Sequence, residues 1–524
     1  MDNPLQATGS RLSSEPPEAD TSSAHSKDSD KFPSPGPPVD LRRKTVRSGL
    51  VTVLAQAANF CVYTVSTMVL ARLLSPEDFG LVGMVTAVTG FLRVFKDAGL
   101  SVATVQREVI THEQISTLFW VNMVVGILLA IVSLVLAPLL AIFYREPRLI
   151  WITVAMGASF VFGAASAQHE ALLRRQMRFK ALAAIEMISL AAGICVGIGM
   201  ALNGFGYWAL VAMPIATALA NLVAVWTALS WRPGPPRRGS GARAMLHFGA
   251  SLAGVNLLNY LWRNADNVLI GWHWGAGPLG FYQKAYGLLL LPINQVNSPI
   301  SGVAVSSLCR VQGDPERLRR YFIGGYTMAA SITLPIVLAV TVFADDIITL
   351  LLGGRWFEAV GIFRLLAPAA LIGALLNPMG WLFVATGRAD RQFKLTVVWS
   401  ALVVLAFVAG LGYGPQGVAI GYSAMTTLLA LPVLKYATKG TSVRLHDIFA
   451  AIKAPILAAA VSGALGLLLK ISMADSIPVA LRAIGGCFAV TGAYALILLV
   501  LMRQWDSYRN LLREALPLTR SSEV

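Results

Sequence analysis

The side chains best placed to do chemistry lie in Asn259-Tyr-Leu-Trp-Arg263-Asn-Ala-Asp266-Asn267, inside an otherwise apolar stretch. Asn256, Asn259, Arg263 and the pair Asp266/Asn267 recur every three or four residues, so a helix stacks them on one face. An Arg and an Asp one turn apart are costly against lipid and are expected to face a partner helix or a wet cavity. Two roles stay open for them. Arg263 and Asp266 pair and lock helices together, or Arg263 lines a cavity and binds substrate beside Asn256 and Asn259. A second group, Phe91-Leu-Arg-Val-Phe-Lys-Asp97, offers Arg93 and Lys96 as substrate-binding cations and Asp97 as an ion-pair or coupling group. Snorkelling to the interface is the competing role for these cations. Lys284, between Tyr282 and Tyr286, either snorkels or joins a sugar-facing surface. Glu186 is a lone carboxylate in an apolar run, read as a salt-bridge partner or a near-interface residue, with proton carriage the third option. Asp345, Asp346 and Arg355 fall in a loop and read as solvated.

Other chemistries lack their residues. The six His show no HxxxH or HxH spacing, and Cys61, Cys195, Cys309 and Cys487 are far apart, so neither a metal site nor a disulfide framework is expected. There is no GxxxxGK[ST] phosphate loop, GxSxG elbow or HExxH. The reading is a transporter and not an enzyme, with no cofactor and with coupling to a proton or sodium gradient left open.

The elements that must hold these residues are membrane helices. Of 524 residues, 56% are hydrophobic and 13% charged, against roughly 25% charged in soluble chains. Apolar runs near 49–71, 79–100, 115–143, 149–167, 181–202, 205–230, 247–271, 279–306, 321–344, 359–385, 394–412, 415–436, 448–470 and 480–502 predict about fourteen spans. Lys and Arg concentrate in every second loop, as in Arg174-Arg175, Arg237-Arg238, Arg319-Arg320 and Lys439, while the alternate loops are short and poor in them. That pattern places both termini in the cytoplasm and accounts for the net charge of +15 without nucleic acid.

Residues 1–40, rich in Ser, Pro and acid, read as a disordered cytoplasmic tail, and 503–524 as a second cytoplasmic tail. Between them the reading is a six-helix bundle over 41–230, a cytoplasmic linker over 231–246, a six-helix bundle over 247–436 and two additional helices over 437–502. A shift of 200 positions sets Gln56 on Asn256, Asn59 on Asn259, Thr67 on Asn267 and Gly80 on Gly280. The bundles are therefore expected to be parallel repeats about an axis along the membrane normal.

These residues also carry a resemblance. Val69-Leu-Ala-Arg-Leu-Leu-Ser-Pro-Glu-Asp-Phe-Gly80, Arg263-x-x-Asp266-x-Val-Leu-Ile-Gly271, Leu279-Gly-Phe-Tyr282 with Ala285, Pro292, Pro299, and Leu308-Cys-Arg-Val-Gln312 with Asp314 resemble Wzx-type polysaccharide flippases. The likeness spans Arg42 to Met502. It implies an all-α polytopic protein of the multidrug/oligosaccharidyl-lipid/polysaccharide (MOP) superfamily, MATE-like, with pseudo-symmetric six-helix bundles around a central cavity. It further implies transport of an undecaprenyl-diphosphate-linked oligosaccharide across a bacterial inner membrane for exopolysaccharide or lipopolysaccharide assembly, beside a polymerase and export machinery. The alternatives are a lipid II flippase, a drug/cation antiporter, which the lack of Asp or Glu over 49–72 disfavours, and a non-transporting scaffold.

Overall fold

The computed structural model describes residues 31–33, 58–96, 104–105, 109–236, 260–473, 476–505 and 508–509. The first bundle contains α1 (Ala58–Leu73), α2 (Pro76–Lys96), α3 (His112–Tyr144), α4 (Leu149–Arg175), α5 (Phe179–Leu202) and α6 (Trp208–Ala228). The second contains α7 (260–274), α8 (Ala276–Arg310), α9 (Pro315–Val342), a short α10 (Ala344–Leu352), α11 (Glu358–Leu376) continued by α12 (Met379–Ala385), α13 (Ala389–Leu411) and α14 (Gly414–Thr438). α15 (Leu445–Ser472) and α16 (Val479–Leu496) follow and pack on α9. Eleven of the described helices are long and apolar enough to cross a membrane, with α1, α2 and α7 beside them. The chain is a multi-pass, all-α membrane protein.

Local chemistry sets the helix ends. At the start of α2 the Ser75 backbone N–H donates to Asp78 Oδ2 at 2.8 Å and the Asp78 N–H donates back to Ser75 Oγ at 3.2 Å, with Pro76 at the first helical position. Thr111 and Gln114 form a full capping box on α3, and Asp314 caps α9. Along α3 an exposed stripe including Val124, Leu128, Ile131, Val135 and Ile142 matches a lipid-facing surface.

The bundles meet where the first turn of α2 crosses the first turn of α8. A Cβ added at Gly80 would lie 1.7 Å from the Ala276 carbonyl oxygen, and one added at Gly280 would lie 1.9 Å from the Pro76 carbonyl oxygen. Residues 76 and 80 are related to 276 and 280 by the same shift of 200, so each contact is the two-fold mate of the other. The repeats thus face each other across a pseudo-dyad, as parallel repeats do.

Three stretches outside the membrane helices are tied to the bundles. Within the amino-terminal tail, Lys31–Pro33 pair antiparallel with Val109–Thr111, Phe32 opposite Ile110. The start of the expected linker is docked on the first bundle. Trp231 is buried and donates to His112 Nδ1 at 3.1 Å, the Gly234 N–H donates to Ser116 Oγ, and Trp120 Nε1 donates to the Gly234 carbonyl. In the carboxy-terminal tail, the Tyr508 and Ser331 hydroxyls lie 2.5 Å apart. In each case a partner distant in sequence supplies what local composition did not show.

Candidate functional site

A cavity of about 380 Å³ opens along the seam between the bundles, lined by α1, α2 and α8. Thr64, Thr67, Gln283 and Lys284 give it its polar wall. Lys284 comes from the first third of α8, and its Nζ lies 3.9 Å from the centroid of the Phe79 ring on α2. Of the two roles open for Lys284, the geometry is that of a cavity wall and not of a side chain stretched to the interface. Gly83 makes room for this wall, since a Cβ there would meet Gln283 Oε1 at 2.2 Å.

Arg93 lines a different cleft, of about 400 Å³, between α2, α4 and α6, with Ser159, Ser166, Thr217 and Asn221. The cleft's far wall is held by the Asn221 amide donating to Glu170 at 2.7 Å. Arg93 and Lys284 therefore belong to separate cavities. The side chain of Lys96, and all of Asp97, Asn256 and Asn259, lie outside the described residues.

Of the two roles left open on α7, the pairing of Arg263 with Asp266 is not made, and Asp266 takes other partners. Asp266 is 3% exposed and accepts from the Tyr282 hydroxyl at 2.9 Å and from the Asn267 N–H at 2.7 Å. Gly275 alone separates α7 from α8, so the two run back antiparallel and bring Asp266 level with Tyr282. Arg263 is exposed, its guanidinium carbon 5.9 Å from the Trp262 ring centroid. The helix lock is thus made by a carboxylate and a phenol, and Arg263 is left available. Glu186 is exposed on α5 beside exposed Met187 and Ile188. Among the described residues it makes no ion pair, which removes the salt-bridge role and leaves the near-interface role and proton carriage.

Asp345 and Asp346 are not simply solvated. Asp345 pairs with Lys470 and with Arg364 at 3.2 Å, and Asp346, 6% exposed, pairs with Arg482 at 3.1 Å. Burial raises the Asp345 carboxyl, but Lys470 and then Arg364 outweigh it and hold the group below its ordinary value. Burial and the neighbouring Asp345 charge push Asp346 up. Lys470 and Arg482 come from the additional carboxy-terminal pair, so this network fastens that pair to the second bundle.

Sequence reasoning also missed residues that close the seam. The Tyr260 hydroxyl lies 2.8 Å from the Thr86 carbonyl and 3.1 Å from that of Ala87, over Gly90. Trp356 donates to the Ala71 carbonyl. Tyr260 lies inside the polar stretch of α7, Trp356 lies in no motif, and only the bundle crossing gives each its partner.

With the geometry in place, comparison decides the kinship. The profile of the polysaccharide biosynthesis proteins matches residues 69–361, more than half the chain. The chain belongs to the polysaccharide biosynthesis protein family. The family match takes in Gly80, Arg93, Arg263, Lys284 and Trp356. The chain is 27% identical over 392 residues to the lipopolysaccharide biosynthesis protein WzxC of Escherichia coli K12, covering 73% of this chain and 79% of WzxC. It is 28% identical over 332 residues to the teichuronic acid biosynthesis protein TuaB of Bacillus subtilis, covering 61% and 66%. Its fold matches the lipid II flippase MurJ in an inward closed conformation, with TM-score 0.70 at 14% identity over 88% of this chain and all of MurJ. The resemblance to Wzx-type polysaccharide proteins is borne out, and the fold is the one MurJ has.

Proposed function

We propose that this family member flips an undecaprenyl-diphosphate-linked oligosaccharide from the inner to the outer leaflet of a bacterial inner membrane, with both termini cytoplasmic. The observation that carries the reading is Lys284 in the seam cavity, a cation held between pseudo-symmetric bundles beside Thr64, Thr67 and Gln283. A diphosphate crossing a low-dielectric region needs charge-assisted hydrogen bonds, and sugars need donors and acceptors of the kind these side chains supply. Arg263, with no acidic partner among the described residues, adds a planar fork suited to phosphate oxygens. Arg93, in its own cleft, provides a second station. The prenyl chain stays in lipid while the head group moves by alternating access. The polysaccharide polymerase and export machinery are the expected consumers of the flipped unit.

The test uses full-length protein in liposomes carrying fluorescent undecaprenyl-diphosphate oligosaccharide, scored for movement between leaflets. Wild type is expected to move the lipid, and Lys284→Met and Arg263→Ala to lose at least about 10-fold, with Arg263→Lys intermediate because it keeps charge without the fork. No movement by wild type, with or without a proton or sodium gradient, would sink the flippase reading in favour of a scaffold. The MurJ-like fold supports one second reading, a lipid II flippase. Faster movement of lipid II than of the oligosaccharide lipid would decide for it.

A further inference from the structure

Trp356 occupies an unusual place. It follows the short α10, in Gly353-Gly-Arg-Trp356, and its side chain is 0% exposed although the segment lies beyond the membrane spans. Gly353 has φ of +96°, a turn that a side chain would strain, and it joins α10 to the segment that carries Trp356. The indole N–H donates to the Ala71 carbonyl at the end of α1, at 2.8 Å. One ring from each repeat meets the indole edge to face, Phe79 of α2 at 5.4 Å and Phe281 of α8 at 5.9 Å. Beside it the Arg72 guanidinium donates to the Leu350 carbonyl at 2.6 Å. A segment of the second bundle is thereby bonded to the first, over the crossing at Gly80 and Gly280. On the loop-charge reading this end faces outward.

The plug shares a ring with the cavity. Phe79 lines the Lys284 cavity and also touches Trp356, so the cation on one ring and the indole against that ring hold the same side chain. A cation over an aromatic ring is held by the ring quadrupole, and a phosphate competes for the same ammonium far more strongly. We propose that Trp356 is the outer gate of the seam and that a diphosphate in the cavity opens it by drawing Lys284 off Phe79. Phe79, freed on its cavity side, can then turn away from Trp356, which leaves the plug to the Ala71 bond, the Phe281 ring and the Arg72 contact with Leu350. The gate so described answers to the charged head group and not to the sugar. Its ligand arm rests on the flippase reading, whereas the gate itself does not.

The experiment reads water access to Thr67, a cavity-lining residue of α1. Full-length protein with its four cysteines changed to serine carries Thr67→Cys, is reconstituted in liposomes, and meets a membrane-impermeant maleimide from the Trp356 side only. Wild-type background is expected to be protected, and to label at least about 5-fold faster with undecaprenyl diphosphate in the bilayer. Trp356→Ala is expected to label without any ligand. Trp356→Phe, which keeps one ring but loses the bond to Ala71 and part of the indole's bulk, should fall between them, and it guards against a simple folding failure. Lys284→Met should label without ligand and ignore added ligand, while Lys284→Arg, which keeps a cation over the ring, should stay protected. Inorganic pyrophosphate in solution is the second ligand arm: acceleration by it shows that the head group suffices, and acceleration by the lipid alone shows that the diphosphate must arrive on its prenyl chain. Continued protection in folded Trp356→Ala would overturn the gate. A normal ligand response in Lys284→Met would overturn the role of Lys284. An open Trp356→Ala with no response of wild type to either diphosphate would overturn the ligand assignment and leave the gate standing, while the flippase reading falls only with the leaflet-movement assay.

Discussion

Asp266 brings a carboxylate into the bundle interior and meets hydrogen-bond donors there, Tyr282 and the Asn267 backbone, in place of a cation. An acceptor held this way is expensive to strand, since leaving a buried polar group unpaired costs about 1–3 kcal/mol. Tyr282→Phe is therefore expected to lower the melting temperature in detergent, and Asp266→Asn to do likewise. The double variant should cost less than the sum of the two, because the single amide oxygen left by Asp266→Asn can serve only one of the two donors and Tyr282→Phe removes the other. Fully additive losses would show that the two groups act separately. Transport by Asp266→Asn should persist at temperatures where the variant is folded, which would remove Asp266 as a coupling group. The polar stripe from Arg263 to Asn267 was legible in the sequence, because its spacing is helical. The choice of partner was not, since it depends on the one-residue reversal at Gly275, which turns Asp266 to α8 and leaves Arg263 exposed.

Between elements, α2 and α8 approach closely at Gly80 and Gly280, whose missing side chains let backbone touch backbone. Gly83 is a glycine of another kind, facing the movable amide of Gln283. Gly80→Ala should thus destabilise strongly, by at least about 2 kcal/mol, while Gly83→Ala costs about 1 kcal/mol or less, a rotamer change being enough. Thermal unfolding of the two variants ranks them, and equal losses would refute the backbone crossing. The shift of 200 made Gly80 and Gly280 equivalent in the sequence, but nothing there said that equivalent residues would touch. Asp345 and Asp346 were unreadable for a related reason. A pair of acids after an apolar run looks solvated, and Lys470 lies 125 residues further along. Because the folded-state value of Asp345 is held below its ordinary one, its contribution is present above an ordinary carboxylate pKa of about 4 and is lost as pH falls through the depressed value. The stability gap between wild type and Asp345→Asn should therefore be full at pH 7 and close below about pH 4, measured by melting in detergent. A gap that widens towards acid would reverse the assignment.

The whole molecule combines a pseudo-dyad with features that break it. The all-α membrane fold, the matched glycines of the repeats and the family were legible, because a bilayer demands long apolar runs and repeats leave matched spacing. What breaks the symmetry was not. Under the shift of 200, Tyr260 corresponds to Phe60 and Gly90 to Leu290, so the hydroxyl brace on α2 has no mate across the axis, where the Lys284 cavity lies instead. The additional pair α15 and α16 also joins one bundle only, and it is fastened at both ends. Lys470 and Arg482 hold Asp345 and Asp346 at one end, and Asp447 pairs with Arg319 at the other. Such a pair is part of the second bundle's stability and not an appendage. Truncation after Gly440 should leave buried Asp346 without Arg482, and breaking a buried pair by removing one partner costs about 3–5 kcal/mol. The truncated protein is expected to aggregate on extraction from the membrane. Adding Asp346→Asn removes the stranded charge and should recover part of the folded, monodisperse fraction on gel filtration. A truncated protein that is as monodisperse and as thermally stable as the full chain would show that the pair is dispensable to the fold. Loss without any recovery by Asp346→Asn would instead assign the stabilisation to the apolar packing of α15 against α9, and not to the charges that fasten it.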